Sequence, residues 1–123
     1  MRAFITGANG LIGANLAREL LTQNIDVRAM TRASSNLKAI EGLALDDVKG
    51  DLFDPPAALA KLCAGCDLIF HTAAYFAYSG ISVADLERTA LTGTRHIIEA
   101  AALAQIPRVV ITSSSVVFGS SST

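Results

Sequence analysis

Apolar and polar positions fall into blocks along this chain, and the period changes from block to block. Ala3-Phe4-Ile5 is a continuous apolar run, so Arg2 to Thr6 reads as a first strand. From about Gly10 to Gln23 apolar residues recur at helical spacing, with Ile12, Leu16 and Leu20 on one face. Val27 to Thr31 reads as a second strand. Ala33-Ser34-Ser35-Asn36 reads as a loop in which a serine caps a short helix through Ile40. A short third strand falls near Asp47-Val48-Lys49-Gly50. Asp54-Pro55-Pro56 then opens a helix, Asp54 as its cap and Pro55 in the first turn, where no N–H is needed. That helix ends near Ala64-Gly65, and Asp67 to His71 reads as a fourth strand. A loop containing Tyr75, Phe76 and Tyr78 leads to one long helix, about Val83 to Gln105. Leu86, Ala90, Gly93, Ile97, Ala101 and Ala104 share a face of it. Pro107 stops the helix and Arg108 to Thr112 is a fifth strand. Strictly alternating strands and helices with right-handed crossovers predict an α/β doubly wound parallel sheet of order 3-2-1-4-5.

Composition supports that reading. Of the 123 residues, 51% are apolar, as suits strands buried on both faces within one domain. The net charge of −1 is spread without blocks, which argues against a nucleic-acid or anionic-membrane surface. No apolar run is long enough to span a bilayer. Met1-Arg2 runs straight into the first strand with no room for a signal peptide, so the cytoplasm is the expected compartment. Cys63 and Cys66 have C-x-x-C spacing but no second ligand pair and no exposed helix start beside them. They read as structural thiols, and no metal site is expected.

The chemistry concentrates at one turn. Thr6-Gly7-Ala8-Asn9-Gly10-Leu11-Ile12-Gly13 joins the first strand to the first helix, with three glycines three residues apart. Gly7 permits the tight turn. Gly10 lets a pyrophosphate approach the backbone. Gly13 lets the helix lie close to the sheet. The helix start, at Leu11 and Ile12, offers unpaired N–H groups and partial positive charge to an anion. In a sheet of this order ligands lie beyond the carboxyl ends of the strands. Those ends are Gly7 to Gly13, Thr31-Arg32, Asp51-Leu52, His71 to Ala74 and Thr112 to Ser115, all bearing small or polar residues. The resulting dinucleotide site comprises Gly7, Asn9, Gly10, Leu11, Ile12, Gly13, Arg32, Lys38, Asp51, Leu52, Thr72, Ala73, Ala74, Thr112 and Ser113.

The end of the second strand selects the cofactor. A site for NAD usually carries an acid there to bind the ribose 2′-hydroxyl. This chain has Arg32, which can pair a 2′-phosphate bidentately, with Lys38 as a second cation. NADP(H) is therefore the expected ligand, with NAD(H) the alternative if Arg32 is only a solvated surface charge.

With these residues placed, the chain resembles the N-terminal part of an extended short-chain dehydrogenase/reductase of Rossmann type. Within that superfamily it is similar to the NAD-dependent epimerase/dehydratase group, including dihydroflavonol-reductase-like and nucleotide-sugar-epimerase-like members. The matching residues are Thr6-Gly7-x-x-Gly10-x-x-Gly13, Val27-Arg28-x-x-x-Arg32, Gly50-Asp51-Leu52-x-Asp54, His71-x-Ala73-Ala74, Gly93-Thr94 and Thr112-Ser113-Ser114-Ser115. The resemblance implies that Asp51 and Leu52 flank the adenine, that Ala73 and Ala74 line the cofactor path, and that Ser114 is the catalytic serine. It implies hydride chemistry at a carbon bearing a hydroxyl or carbonyl, on a nucleotide sugar or similar small molecule.

Two departures stand out. Ala90 occupies a position where the group usually has Asn, and no Tyr-x-x-x-Lys is present, since Ser79 and Ser82 stand four residues after Tyr75 and Tyr78. The expectation is a domain that precedes the tyrosine–lysine pair and most of the substrate pocket, inactive alone. A non-catalytic NADP-binding regulatory module and one half of a split enzyme are the other readings. The fifth strand, β-branched at Val109-Val110-Ile111, would then lie at a sheet edge and favour an oligomer or a covering C-terminal portion.

Overall fold

The computed structural model describes residues 1–74, 80–114, 119 and 121. Tyr75, Phe76, Tyr78 and Ser115 lie outside the described residues. The elements are β1 (Arg2–Thr6), α1 (Leu11–Thr22), β2 (Asp26–Thr31), a 3₁₀ turn (Lys38–Ile40), β3 (Asp46–Lys49), α2 (Pro56–Cys63) and β4 (Leu68–His71). They continue with α3 (Val83–Glu87), a π-helical turn (Arg88–Gly93), α4 (Thr94–Leu103) and β5 (Val109–Ile111). The sheet is parallel in the order β3-β2-β1-β4-β5, as the alternation of elements requires.

β1 is central and buried on both faces, and its alternate residues feed two cores. Phe4 packs with Met30, Leu59, Cys63, Ile69, Ile97 and Ala101 on the α2/α4 side. Ala3 and Ile5 pack with Ala17, Leu20, Val27 and Ala29 on the α1 side. Arg28 ties the α2 end to the sheet: its Nε bonds the Asp46 carboxylate at 2.7 Å and its Nη1 donates to the Leu62 and Ala64 carbonyls. β5 is an edge strand, with Val110 43% and Ile111 42% exposed.

Four local expectations are corrected. The buried face of α1 is Gly13, Ala14, Ala17 and Leu20, whereas Ile12 is 52% exposed. The sheet-facing seam is made by small residues that allow close approach, so the largest apolar side chain does not mark it. The long helix is not continuous. The π-helical turn Arg88–Gly93 interrupts the register: Ala90 is exposed, while Gly93, Ile97, Ala100 and Ala101 are buried, and Leu86 before it is 36% exposed. Asp54 does not cap α2: its carboxylate accepts from the Asp51 N–H at 2.9 Å, and Pro56 takes the first helical position. No serine caps the 3₁₀ turn either. Asn36 Oδ1 accepts from the Lys38 N–H at 2.9 Å, while Ser35 Oγ accepts from the Arg32 N–H at 3.1 Å.

Candidate dinucleotide site

The carboxyl ends of β1, β2 and β4, with the segment after β3, open into one cleft of about 240 Å³. Its walls are Gly7, Asn9 and Gly10 from the first turn, Met30 to Arg32 and Ser35 from β2 and its loop, Gly50 to Phe53, Thr72 to Ala74, and Thr89.

Each glycine of the first turn answers a different steric demand. Gly7 has φ +73°, and a Cβ there would lie 2.7 Å from Ala73 N and Cα. The turn is therefore left-handed and pressed against the strand-four loop, and only glycine fits. Gly13 faces the turn itself, since its Cβ would stand 2.2 Å from the Gly7 carbonyl oxygen. Gly10 differs from both: its Cβ would meet only the Gly7 oxygen, at 3.3 Å, and no other atom within 4 Å. Its missing side chain thus spares the cleft more than the protein. α1 begins here without a side-chain cap, leaving its first N–H groups to an outside acceptor.

Beneath this turn lies a buried polar chain. Thr6 Oγ1 and His71 Nδ1 are 2.7 Å apart, and His71 Nε2 is 3.1 Å from Thr94 Oγ1 on α4. The Ala73 N–H donates to Thr6 Oγ1 at 3.4 Å, and Thr72 Oγ1 donates to the Thr6 carbonyl at 2.7 Å. Burial holds the His71 pKa below the ordinary histidine value, so the ring is neutral at pH 7.

The wall at Asp51 to Phe53 is built by local turns. Asp51 Oδ1 accepts the Phe53 N–H at 2.9 Å, and His96 Nδ1 donates to the Leu52 carbonyl at 2.8 Å. The Arg88 guanidinium lies 4.1 Å over the Phe53 ring. Across the cleft, the Ser35 N–H donates back to the Arg32 carbonyl at 3.0 Å, closing the turn that presents Arg32. The Arg32 guanidinium has no hydrogen-bond or ion-pair partner among the described residues.

Of the residues singled out from the sequence, Gly7, Asn9, Gly10, Arg32, Asp51, Leu52, Thr72, Ala73 and Ala74 meet in the cleft. Leu11, 82% exposed, and Ile12 lie beside it at the start of α1. Lys38 lies elsewhere, lining a separate surface cleft with Leu37, Ile40, Glu41 and Asp47. Thr112, Ser113 and Ser114 follow β5 and are exposed, and the Thr112 N–H donates to the His71 carbonyl at 3.1 Å.

Sequence reasoning missed Ser35, Gly50, Phe53 and Thr89. Ser35 had a signal, a hydroxyl three residues after Arg32 in a turn. Thr89 had none, because the π-helical turn carries it into the cleft. Its Oγ1 is buried with no hydrogen-bond partner among the described residues. Burial and the neighbouring Cys66 push the Cys63 thiol up to about 11, and burial raises that of Cys66. Both are free and buried, as inert structural thiols are. No group of three or more potential metal ligands occurs among the described residues, and no described helix is long and apolar enough to cross a membrane.

The geometry agrees with known proteins. A Synechocystis sp. protein named "Putative dihydroflavonol 4-reductase" is 41% identical over 116 residues, covering 94% of this chain and 33% of that protein. Sterol demethylase protein B of Methylococcus capsulatus is 38% identical over 119 residues, covering 93% of this chain and 34% of its own. The crystal structure of a UDP-glucose 4-epimerase from Brucella ovis in complex with NAD superposes with a TM-score of 0.84 at 27% identity. It covers 99% of this chain and 38% of that one. The chain thus spans about one third of the length of the curated relatives it matches. The model of the NAD dependent epimerase/dehydratase family matches residues 3–123, and the chain belongs to that family.

Proposed function

We propose that this chain is the dinucleotide-binding part of an NAD(P)-dependent oxidoreductase or epimerase, and that it takes NADP(H) in preference to NAD(H). The observation that carries the reading is the cleft, where a glycine turn, an uncapped helix start and an arginine without a partner among the described residues face one space. The residues present fit such a cofactor. A Cβ at Gly10 would fill the place a pyrophosphate needs, and the orphaned Thr89 hydroxyl has an acceptor or donor to gain. The N–H groups at the start of α1 hold the pyrophosphate. Arg32 and the Ser35 hydroxyl hold the 2′-phosphate, and Asp51 to Phe53 flank the adenine. Several similar structures contain NAD, the Brucella ovis epimerase among them, so the preference for NADP(H) rests on Arg32 alone.

When bound, the cofactor supplies or accepts the hydride at a carbon bearing a hydroxyl or carbonyl. In this reading Ser114, three residues past the carboxyl end of β5, hydrogen-bonds the reacting oxygen. The proton is moved by a tyrosine–lysine pair that these 123 residues do not contain, so this chain alone gives no turnover. The substrate class in the whole enzyme is a nucleotide sugar or similar small molecule.

Calorimetric titration tests the assignment. NADP⁺ should bind more tightly than NAD⁺, and Arg32→Ala should cost about 1.5–3 kcal/mol for NADP⁺ alone, the range for a hydrogen bond to a charged group. Equal affinities, unchanged by the substitution, would remove Arg32 from the site.

A further inference from the structure

The buried chain Thr94–His71–Thr6 lies directly under the phosphate turn, and the reading above does not use it. Thr6 is wholly buried and immediately precedes Gly7. Its oxygen receives the Ala73 N–H, and among the described residues the acceptor within reach of its own hydrogen is His71 Nδ1. That assigns the His71 proton to Nε2, where it is donated to Thr94 Oγ1. The two backbones this chain connects run so close that a Cβ at Gly7 would lie 2.7 Å from Ala73 N and Cα.

We propose that His71, as the neutral Nε2–H tautomer, is a positioning residue that sets the gap between Gly7 and Ala73 and thereby the affinity of the turn for a pyrophosphate. The inference rests on the dinucleotide reading of the cleft. The groups facing the ring are Thr6 from β1, Thr94 from α4 and, by register, Ile111 from β5, and none of them ionises. Neither pH nor salt therefore acts on the ring through a charged neighbour among the described residues. A proton added at Nδ1 would put two hydrogens between the ring and the Thr6 hydroxyl. That hydroxyl would have to turn its hydrogen away from Nδ1 and present a lone pair there instead, reorienting the oxygen that receives the Ala73 N–H. The ring thus links the protonation of a buried group to the geometry of the turn. Burial, which disfavours the charged ring, keeps this from happening near neutrality.

Two substitutions separate the two ring nitrogens. His71→Asn keeps an acceptor at the Nδ1 position, whereas His71→Gln keeps a group at the Nε2 position and loses the acceptor. NAD⁺, whose pyrophosphate stays ionised from pH 5 to 8, is the probe, titrated against the protein by calorimetry. His71→Gln should weaken binding roughly 3- to 10-fold, the worth of one net hydrogen bond, while His71→Asn stays near the parent. Thr6→Val should match His71→Gln, and the double variant should lose no more than either. Thermal midpoints recorded in parallel identify any variant that is merely unfolded. For the parent, long-range proton–nitrogen NMR should report Nε2–H at pH 7, and NAD⁺ affinity should fall as pH drops through the His71 titration.

An Nδ1–H tautomer, or a folded His71→Gln that binds like the parent, overturns the inference. Gly10→Val serves as the control for the underlying reading. If the parent binds NAD⁺ and Gly10→Val does not, the cleft reading stands whatever His71 does. If the parent fails to bind, the functional reading falls and this inference with it.

Discussion

Replacing Gly13 by alanine adds a single methyl group in the worst available place. The new Cβ would lie 2.2 Å from the Gly7 carbonyl oxygen, 2.7 Å from its carbon and 2.8 Å from Ala8 Cα. Ordinary carbon contacts begin at about 3.5 Å, so α1 and the turn must separate by about 1 Å. All three obstructing atoms belong to backbone, so no side-chain rotation relieves the clash. Overpacking of this kind costs about 1–3 kcal/mol or more. Alanine repays about 1 kcal/mol through helix propensity at a mid-helix position, an offset that Gly13, in the first turn, collects only in part. A net loss of about 2 kcal/mol follows, a fall of roughly 6–12 °C in Tm for a domain of this size. Urea unfolding followed by circular dichroism reads it directly, with an unchanged slope marking a change in stability alone. Gly10→Ala is the matched comparison, because its Cβ meets one atom only, at 3.3 Å. It should cost the fold little. If Gly13→Ala is as stable as the parent, the helix start is not wedged against the turn and the account of the three glycines is wrong.

Thr89→Val should act with opposite signs on stability and binding. Removing an unpartnered buried hydroxyl should stabilise the ligand-free protein by about 1 kcal/mol, while NADP⁺ affinity falls; a variant that loses stability and binds normally would place the hydroxyl outside the site. Stability should also depend on pH through His71, whose folded pKa is depressed by burial. The unfolded chain then binds the proton first, so stability is full above about pH 6.5 and declines as pH falls toward the folded value. A flat urea midpoint between pH 7 and pH 5 in the parent, matching that of His71→Asn, would contradict this. Cys63 and Cys66 should resist thiol reagents at pH 7.5 until the protein unfolds, since both are buried and their pKa values are raised, that of Cys63 to about 11. Rapid labelling of the folded protein would refute it.

What could be read from the sequence was what short-range chemistry dictates. Gly7, Gly10 and Gly13 between an apolar run and a helical one specify a strand, a turn and a helix, and the alternation that follows specifies the sheet order. Arg32 could be placed because it directly follows β2, and strand ends converge in this topology. Lys38 could not, because a loop intervenes and the 3₁₀ turn it begins faces another surface. Spacing placed Leu20 on the buried face of α1 and Leu16 beside it but put Ile12 there too. Close packing against a sheet selects Ala14 and Ala17, and leaves Ile12 outside. The π-helical turn was invisible, because an inserted residue leaves composition unchanged and only shifts the phase of the pattern. That one shift exposes Ala90 and carries Thr89 into the cleft. The Thr6–His71–Thr94 chain spans residues far apart in sequence, brought together by the pairing of β1 with β4 and the packing of α4 on the sheet.

The central claim is that a dinucleotide lies in the cleft at the carboxyl ends of the strands, with Arg32 at one end. Titration of the ¹⁵N-labelled protein with NADP⁺, followed by amide chemical shifts, tests it most directly. The largest shifts should fall on Gly7 to Gly13, Arg32 to Ser35, Asp51 to Phe53 and Thr72 to Ala74, with Gly10→Val abolishing them. Shifts concentrated instead on Leu37 to Asp47, or none at millimolar NADP⁺, would contradict it.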